Sequence, residues 1–346
     1  MSDKSNLYGL TLEELENLMA DLGYKKYSGR QIFQWMYQKN IFDFQDMTNL
    51  SKKLRAEMEL NYSISLPKVL EVKVSRDQTV KYLFELEDGN LIEAVKIPDH
   101  PRLTLCMSSQ VGCPLGCKFC KTAQIGFKRN LEVGEILSQL AHVQKTLEPE
   151  ERISNLVFMG MGEPFLNYDN VKTAVEIIMS VLAFGIGHSK ITISTAGHVP
   201  GIYRMTDDGL KVRLAVSLNS ADPETRRRLM PITRKYSLDE LKKSLTYHTS
   251  QSRRRVTFEY LLISGITDTI NAAKKLVKFV DGIPCKINLI NYNPSPGLPS
   301  EFRPSTENDI NRFRDYLYPR TPAVTIRASK GIDIKAACGQ LAAEYQ

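Results

Sequence analysis

The spacing of apolar residues changes twice along the chain. Up to residue 62, apolar positions recur three and four residues apart, the period of a helix packed on one face. In "GRQIFQWMYQK", Ile32, Trp35 and Met36 share a face, and Ser28 is the expected cap. Thr11 followed by Glu14 has the form of a capping box, with Gly23 as the closing residue of that helix. "LSKKLRAEMEL" completes a helical N-terminal unit, residues 1–62. Between 68 and 98 the period falls to two. "KVLEVKV", "VKYLFEL" and "LIEAVKI" alternate, separated by "RDQT" and "EDGN", and Asp-Gly is a hairpin signal. This predicts a small antiparallel extension, 63–102.

From about residue 103, β-rich runs alternate with helical ones. "LTLCMSS", "SNLVFMG", "KITISTA", "VRLAVSLN", "VTFEYLLI" and "KINLINYN" are the runs of strand character. Helical patterns near 132–147, 170–182, 238–250 and 269–281 separate most of them. Strands with helical crossovers imply a parallel sheet with helices outside. Six such strands are too few for a closed eight-stranded barrel, so the expected α/β fold is an open, partial (β/α)6 barrel over 103–330. A last β-rich run, "AVTIRAS", precedes a C-terminal segment, 331–346.

Composition leaves this picture standing: 346 residues, 42% apolar and 25% charged, are ordinary for a globular protein. No apolar run reaches the roughly 18 residues of a membrane span. The first residues lack the basic-then-apolar pattern of a signal peptide, so the expected compartment is the cytoplasm. Charge adds something new. Residues 226–255 hold ten basic and two acidic residues, +8 in one window against +7 for the whole chain. Such a window is either a solvated helix face with a basic turn or a surface for nucleic-acid phosphates.

The cysteines point to chemistry. Of six, four fall between 106 and 120, and "CPLGCKFC" sets Cys113, Cys117 and Cys120 in one tight loop. Three local thiolates suit an iron–sulfur cluster with one iron left open to a small molecule. Zinc is the rival, but zinc sites usually pair two short-spaced couples, and a second couple is missing. Cys106, Cys285 and Cys338 have packing as their plainest reading, and either Cys106 or Cys338 could be a fourth cluster ligand. The five histidines show no metal spacing.

C-x3-C-x2-C after a first strand resembles the radical S-adenosylmethionine (SAM) enzymes. The further runs "FMGMGEP", "ISTAG", "LAVSLNS", "TFEYLLI", "NLINYNP" and "GIDIKAACGQL" resemble the RlmN/Cfr family of radical SAM RNA methyltransferases over essentially the whole chain. "MGMGEPFLN" is closer to the RlmN branch, which methylates C2 of adenine, than to the Cfr branch, which acts at C8. The resemblance implies a [4Fe-4S] cluster on Cys113, Cys117 and Cys120, whose open iron takes SAM. It implies a SAM site made by Gly162, Glu163, Ser194, Ser217, Leu218, Asn219 and Asn293, polar positions that recur at strand ends. Most of the family has His where this chain has Asn219. Two SAM molecules would be used per turnover. One methylates Cys338 by polar displacement. The second yields an adenosyl radical that takes hydrogen from the S-methyl group, and the resulting carbon adds to the base. Cys106 would release the product by forming a disulfide with Cys338, and the C2 proton would go to Glu93, the position matching the family's proposed acceptor, or to Cys106. The implied partners are large-subunit rRNA near the peptidyl transferase centre, the tRNA adenosine 3′ of the anticodon, an electron donor and a thiol reductant. The implied state is a monomer away from membranes. The N-terminal helices and the basic window are the expected RNA surfaces. The reading of another class is a zinc-stabilised RNA-binding protein without catalysis.

Overall fold

The computed structural model describes residues 4–342. Residues 1–3 of the expected N-terminal unit and 343–346 of the expected C-terminal segment lie outside the described residues. Ten strands form one sheet: β1 (Lys68–Val74), β2 (Val80–Glu85), β3 (Leu91–Asp99), β4 (Arg102–Cys106), β5 (Asn155–Phe158), β6 (Ile191–Thr195), β7 (Arg213–Ser217), β8 (Val256–Leu262), β9 (Cys285–Asn291) and β10 (Val324–Arg327). Each strand pairs with its neighbours in the chain. β1 to β4 are antiparallel, and β4 to β10 are parallel.

The antiparallel extension is therefore not a separate meander. Its last strand, β3, pairs with β4 and continues the barrel sheet, Val95 opposite Cys106. The run "AVTIRAS" supplies a seventh parallel strand, β10, one more than the six expected.

The sheet curls without closing. Cys106, Val157, Ile290 and Arg327 line one pocket although they stand on β4, β5, β9 and β10. Registers put Cys106 opposite Val157 and Ile290 opposite Arg327, so all four project from the same face. That face is the inside of the partial barrel. Helices Val133–Gln144, Tyr168–Met179, Val199–Asp207, Leu238–Ser252 and Ile270–Val280 follow strands as crossovers. Apolar residues such as Ile136, Leu140, Val171 and Leu276 bury each helix's inner face.

At the N-terminus, Thr11 and Glu14 form the predicted capping box, and Gly23, at φ 79°, sits just past the helix end. Ser28 is not a cap. Its helix begins three residues earlier, at Lys26–Tyr37 with Lys25 as cap. Gly29 lies inside it because a Cβ there would come 2.5 Å from the Leu15 carbonyl oxygen, so this is where the two helices touch. Leu15, Ile32 and Met36 join the same hydrophobic cluster as the barrel helices. Asn40 donates to the Ala141 carbonyl (2.9 Å), tying the helical unit to the barrel.

Candidate active site

An antiparallel pair of short strands, Gln110–Gly112 and Phe127–Asn130, carries the cysteine loop. Gly112, at φ 75°, is required there, since a Cβ would sit 1.8 Å from the Gly126 carbonyl oxygen. Its neighbour Cys113 donates its N–H to that same oxygen (2.8 Å) and closes the loop. Cys113 and Cys117 are buried and Cys120 is half-buried. Burial first, and the neighbouring cysteines after it, push all three thiols up, Cys113 to about 12. Thiols so placed carry charge only with a cationic partner. The donor set is sulfur alone, and it fits an iron–sulfur cluster. Among the described residues no three His, Cys, Asp or Glu side chains converge on one ion position.

The C-terminal segment lies across this loop. The Lys121 N–H donates to the Gly339 carbonyl (2.7 Å), and the Thr122 hydroxyl donates to the Leu341 carbonyl (2.8 Å). Asn293 Nδ2 donates to the Cys338 carbonyl (3.3 Å), and Gln340 Nε2 to that of Pro294 (2.8 Å). The far end is tied as well, by the Gly331 N–H on Asp77 (2.9 Å) and by Ser75 on Asp333. Ala336, Ala337 and Leu341 are buried, whereas Cys338 between them is exposed. The segment thus presents one sulfur from an anchored backbone. Cys338, Cys106 and Cys120 line a single pocket with Arg327. Cys106, at the end of β4, is pushed up to about 12 by burial and next by Cys338. Both sulfurs are free thiols.

Glu93 does not line that pocket. It lies in β3, nine-tenths or more buried, in a neighbouring cleft with Lys81, Gln340 and Ala342. Lys81 Nζ pairs with its Oε1 (2.8 Å), and the Ala342 N–H donates to its Oε2 (2.8 Å). Glu93 is thus a buried, paired carboxylate rather than an exposed one.

The other predicted positions lie at the carboxyl ends of the barrel strands: Ser194 in β6, Ser217 at the end of β7 with Leu218 and Asn219 after it, and Asn293 after β9. Gly162 packs on Gln110, whose Oε1 accepts the Glu163 N–H (2.8 Å). Glu163 is buried rather than a surface carboxylate. It accepts from Ala196 N–H (2.8 Å) and Phe165 N–H (3.3 Å), and burial raises it to about 7. Asn219 has φ 56°, a left-handed conformation that Asn tolerates better than most residues. Its Oδ1 accepts the Leu261 N–H (3.1 Å), and its Nδ2 meets the Met230 sulfur (3.4 Å). Leu218 is fully buried. Cys285 is a buried residue of β9, as packing required.

Two residues of this rim escaped the sequence reading. Gln110 holds Glu163 and, through Nε2, Asn130 (2.8 Å). Arg226 was grouped with the basic window, but it is buried. It donates to the carbonyls of Leu218 (3.0 Å), Ala196 (2.7 Å) and Ser217 (3.5 Å) and to Thr233 (2.7 Å), joining the ends of β6 and β7. Burial lowers its guanidinium to about 10. The rest of the window divides in two. Arg227, Arg228, Arg234 and Lys235 follow β7 on the carboxyl-end rim, while Arg253, Arg254 and Arg255 precede β8 on the opposite rim. The helix Leu238–Ser252, which carries the remaining Lys242 and Lys243, separates the groups.

Residues 5–64 match the model of the ribosomal RNA large subunit methyltransferase N-terminal domain, and residues 107–277 match the radical SAM superfamily. The "Dual-specificity RNA methyltransferase RlmN" of Syntrophobacter fumaroxidans is 44% identical over 97% of both chains. The "Probable dual-specificity RNA methyltransferase RlmN" of Dictyoglomus turgidum is 46% identical over 99% of this chain and 97% of its own. The chain belongs to the RlmN family of radical SAM RNA methyltransferases. A radical SAM methyltransferase from Sphaerobacter thermophilus superposes with a TM-score of 0.93 at 39% identity, over 98% of this chain and all of its own. RlmN membership sets aside the reading as a zinc-stabilised binding protein without catalysis. Among the described residues no helix is long and apolar enough to cross a membrane.

Proposed function

We propose that this enzyme methylates C2 of an adenine in large-subunit rRNA and in tRNA, with Cys338 as the methyl carrier. The observation that carries this reading is the exposed Cys338 sulfur on a segment anchored at both ends, in one pocket with Cys106 and Cys120. A cluster on Cys113, Cys117 and Cys120, with SAM held by the rim from Gly162 to Asn293, would supply one-electron chemistry. C2 of adenine lies between two ring nitrogens and is too electron-poor for polar methylation.

Cys338 Sγ, as a thiolate, takes a methyl group, the sulfonium donor leaving as a neutral thioether. After the methyl carbon has bonded to C2, Cys338 tethers the RNA to the protein. Cys106 Sγ then attacks Cys338 Sγ. The sulfur–sulfur bond forms, the carbon–sulfur bond breaks, and the carbon leaves with the electron pair and picks up a proton. A cytosolic thiol reduces the disulfide before the next cycle. The burial of Cys106 keeps it protonated until the adduct reorganises the pocket, which disfavours a premature disulfide. Glu93 is the proton acceptor in this scheme. Its Oε1 pairs with Lys81 and its Oε2 accepts the Ala342 N–H, contacts that hold the carboxylate in place.

The test is in vitro methylation with the reconstituted enzyme and Cys338→Ala. Wild type yields 2-methyladenosine, and the variant yields none while keeping iron and sulfide. A variant that loses its iron makes Cys338 a ligand and sinks the carrier role.

A further inference from the structure

The amino-end rim of the barrel gathers cations that the methylation scheme does not use. Side chains alternate along a strand. On β8 and β9, Glu259 and Asn288 face the barrel interior, and Asn288 Nδ2 donates to Glu259 Oε1 (2.9 Å). Two residues back on β9 is Lys286, in register with Thr257 of β8, which in turn faces Ala215 of β7. Two residues before Thr257 and Ala215 come Arg255 and Arg213, at the starts of their strands. Arg213 and Arg255 are exposed and Lys286 is half-buried.

The three press on one another. Lys286 is lowered by burial and, after the opposing pull of Glu259, by Arg255, Arg213 and Arg327. Lys190 stands beside them before β6, exposed. None of Lys190, Arg213, Arg255 and Lys286 makes an ion pair among the described residues. Of these four, Lys286 is the one that Glu259 attracts, and the buried Glu259 Oε2 has no hydrogen-bond partner among the described residues. Adjacent like charges repel, so this arrangement gains most from an outside anion.

We propose that Arg213, Arg255 and Lys286 form a second RNA contact, which binds backbone phosphates of the substrate at the rim opposite Cys338. The assignment rests on the reading of RNA as substrate. The seven residues of β8 set the two rims about 20 Å apart, so a folded RNA that reaches Cys338 can also reach this rim by wrapping the barrel edge. Phosphate contacts fix position without reading sequence. The site therefore acts on affinity and leaves the chemistry at Cys338 alone.

The experiment compares reconstituted wild type with the double variant Arg213→Ser/Arg255→Ser. A control variant, Lys274→Ser/Lys278→Ser, removes equal charge from exposed positions of an outer helix. Binding of full-length tRNA is measured by fluorescence anisotropy across salt concentrations, and methylation is measured at saturating tRNA. The rim variant is expected to bind about 10-fold more weakly, with a salt slope shallower by about 1 to 2, and to keep its saturated turnover. Its charge-preserving counterpart, Arg213→Lys/Arg255→Lys, is expected to keep wild-type affinity. Unchanged affinity and slope in the serine variant, or an equal loss in the helix control, overturns the proposal. A wild type that binds tRNA without methylating it contradicts the substrate reading instead, and the binding comparison still decides this site.

Discussion

The two rims of one barrel treat polar groups in opposite ways. At the carboxyl ends of the strands, Glu163, Asn219, Asn293 and Arg226 are buried, and each is bonded to another part of the protein. At the amino ends, Arg213 and Arg255 stand exposed without an ion pair among the described residues. Groups satisfied in advance hold a fixed geometry, which a site for a small cofactor and a reacting base requires. Unpaired surface charge has no fixed geometry and suits a mobile polyanion. Arg226 and Arg255 come from the same basic window of sequence, yet they stand on opposite rims because the helix Leu238–Ser252 carries the chain from one rim to the other.

The largest effects are expected at the pocket that joins Cys338 and Cys106. Cys338→Ala removes the proposed carrier sulfur, and methylation is expected to fall below detection while the ultraviolet–visible spectrum of the cluster persists. Cys106→Ala leaves the attachment step intact but blocks release. Protein crosslinked to RNA then accumulates on denaturing gels, and multiple turnover stops. Free product at the wild-type rate would remove Cys106 from the scheme.

Stability separates the rims next. Arg226→Met leaves three carbonyls and a hydroxyl without their donor inside the protein, and the unfolding free energy falls by about 3 kcal/mol. Asn219→Ala strands the buried Leu261 N–H and costs about 1–2 kcal/mol. Arg255→Ser touches no partner and shifts stability by about 0.5 kcal/mol or less. Denaturant titrations of the three variants check the order. Equal losses for Arg226 and Arg255 would erase the distinction drawn between the rims.

Some of this was legible in the sequence because it is local. The cysteine triad occupies one loop, so spacing alone displays it. The capping box at Thr11 needs only four residues. Strands β4 to β9 announced themselves by β-rich runs between helical ones. The rest depends on which strand lies beside which. The sequence does not show that β3 joins β4, and so the antiparallel extension looked separate. Ser28 looked like a cap because the close approach of Gly29 to Leu15 is a tertiary fact. The basic window looked like one patch because charge counts do not record which rim a residue reaches. Cys338 lies 232 residues beyond Cys106 in the chain. Only family resemblance paired them in sequence, while the curl of the sheet and the anchored C-terminal segment bring them to one pocket.

The central claim is that Cys338 carries carbon to C2 of an adenine. Reconstituted wild type and Cys338→Ala, each given rRNA or tRNA lacking the modification, can be compared by nucleoside mass spectrometry against 2-methyladenosine and 8-methyladenosine standards. The account predicts 2-methyladenosine from the wild type alone. A methyl group at C8, or 2-methyladenosine from the Cys338→Ala enzyme, would contradict it.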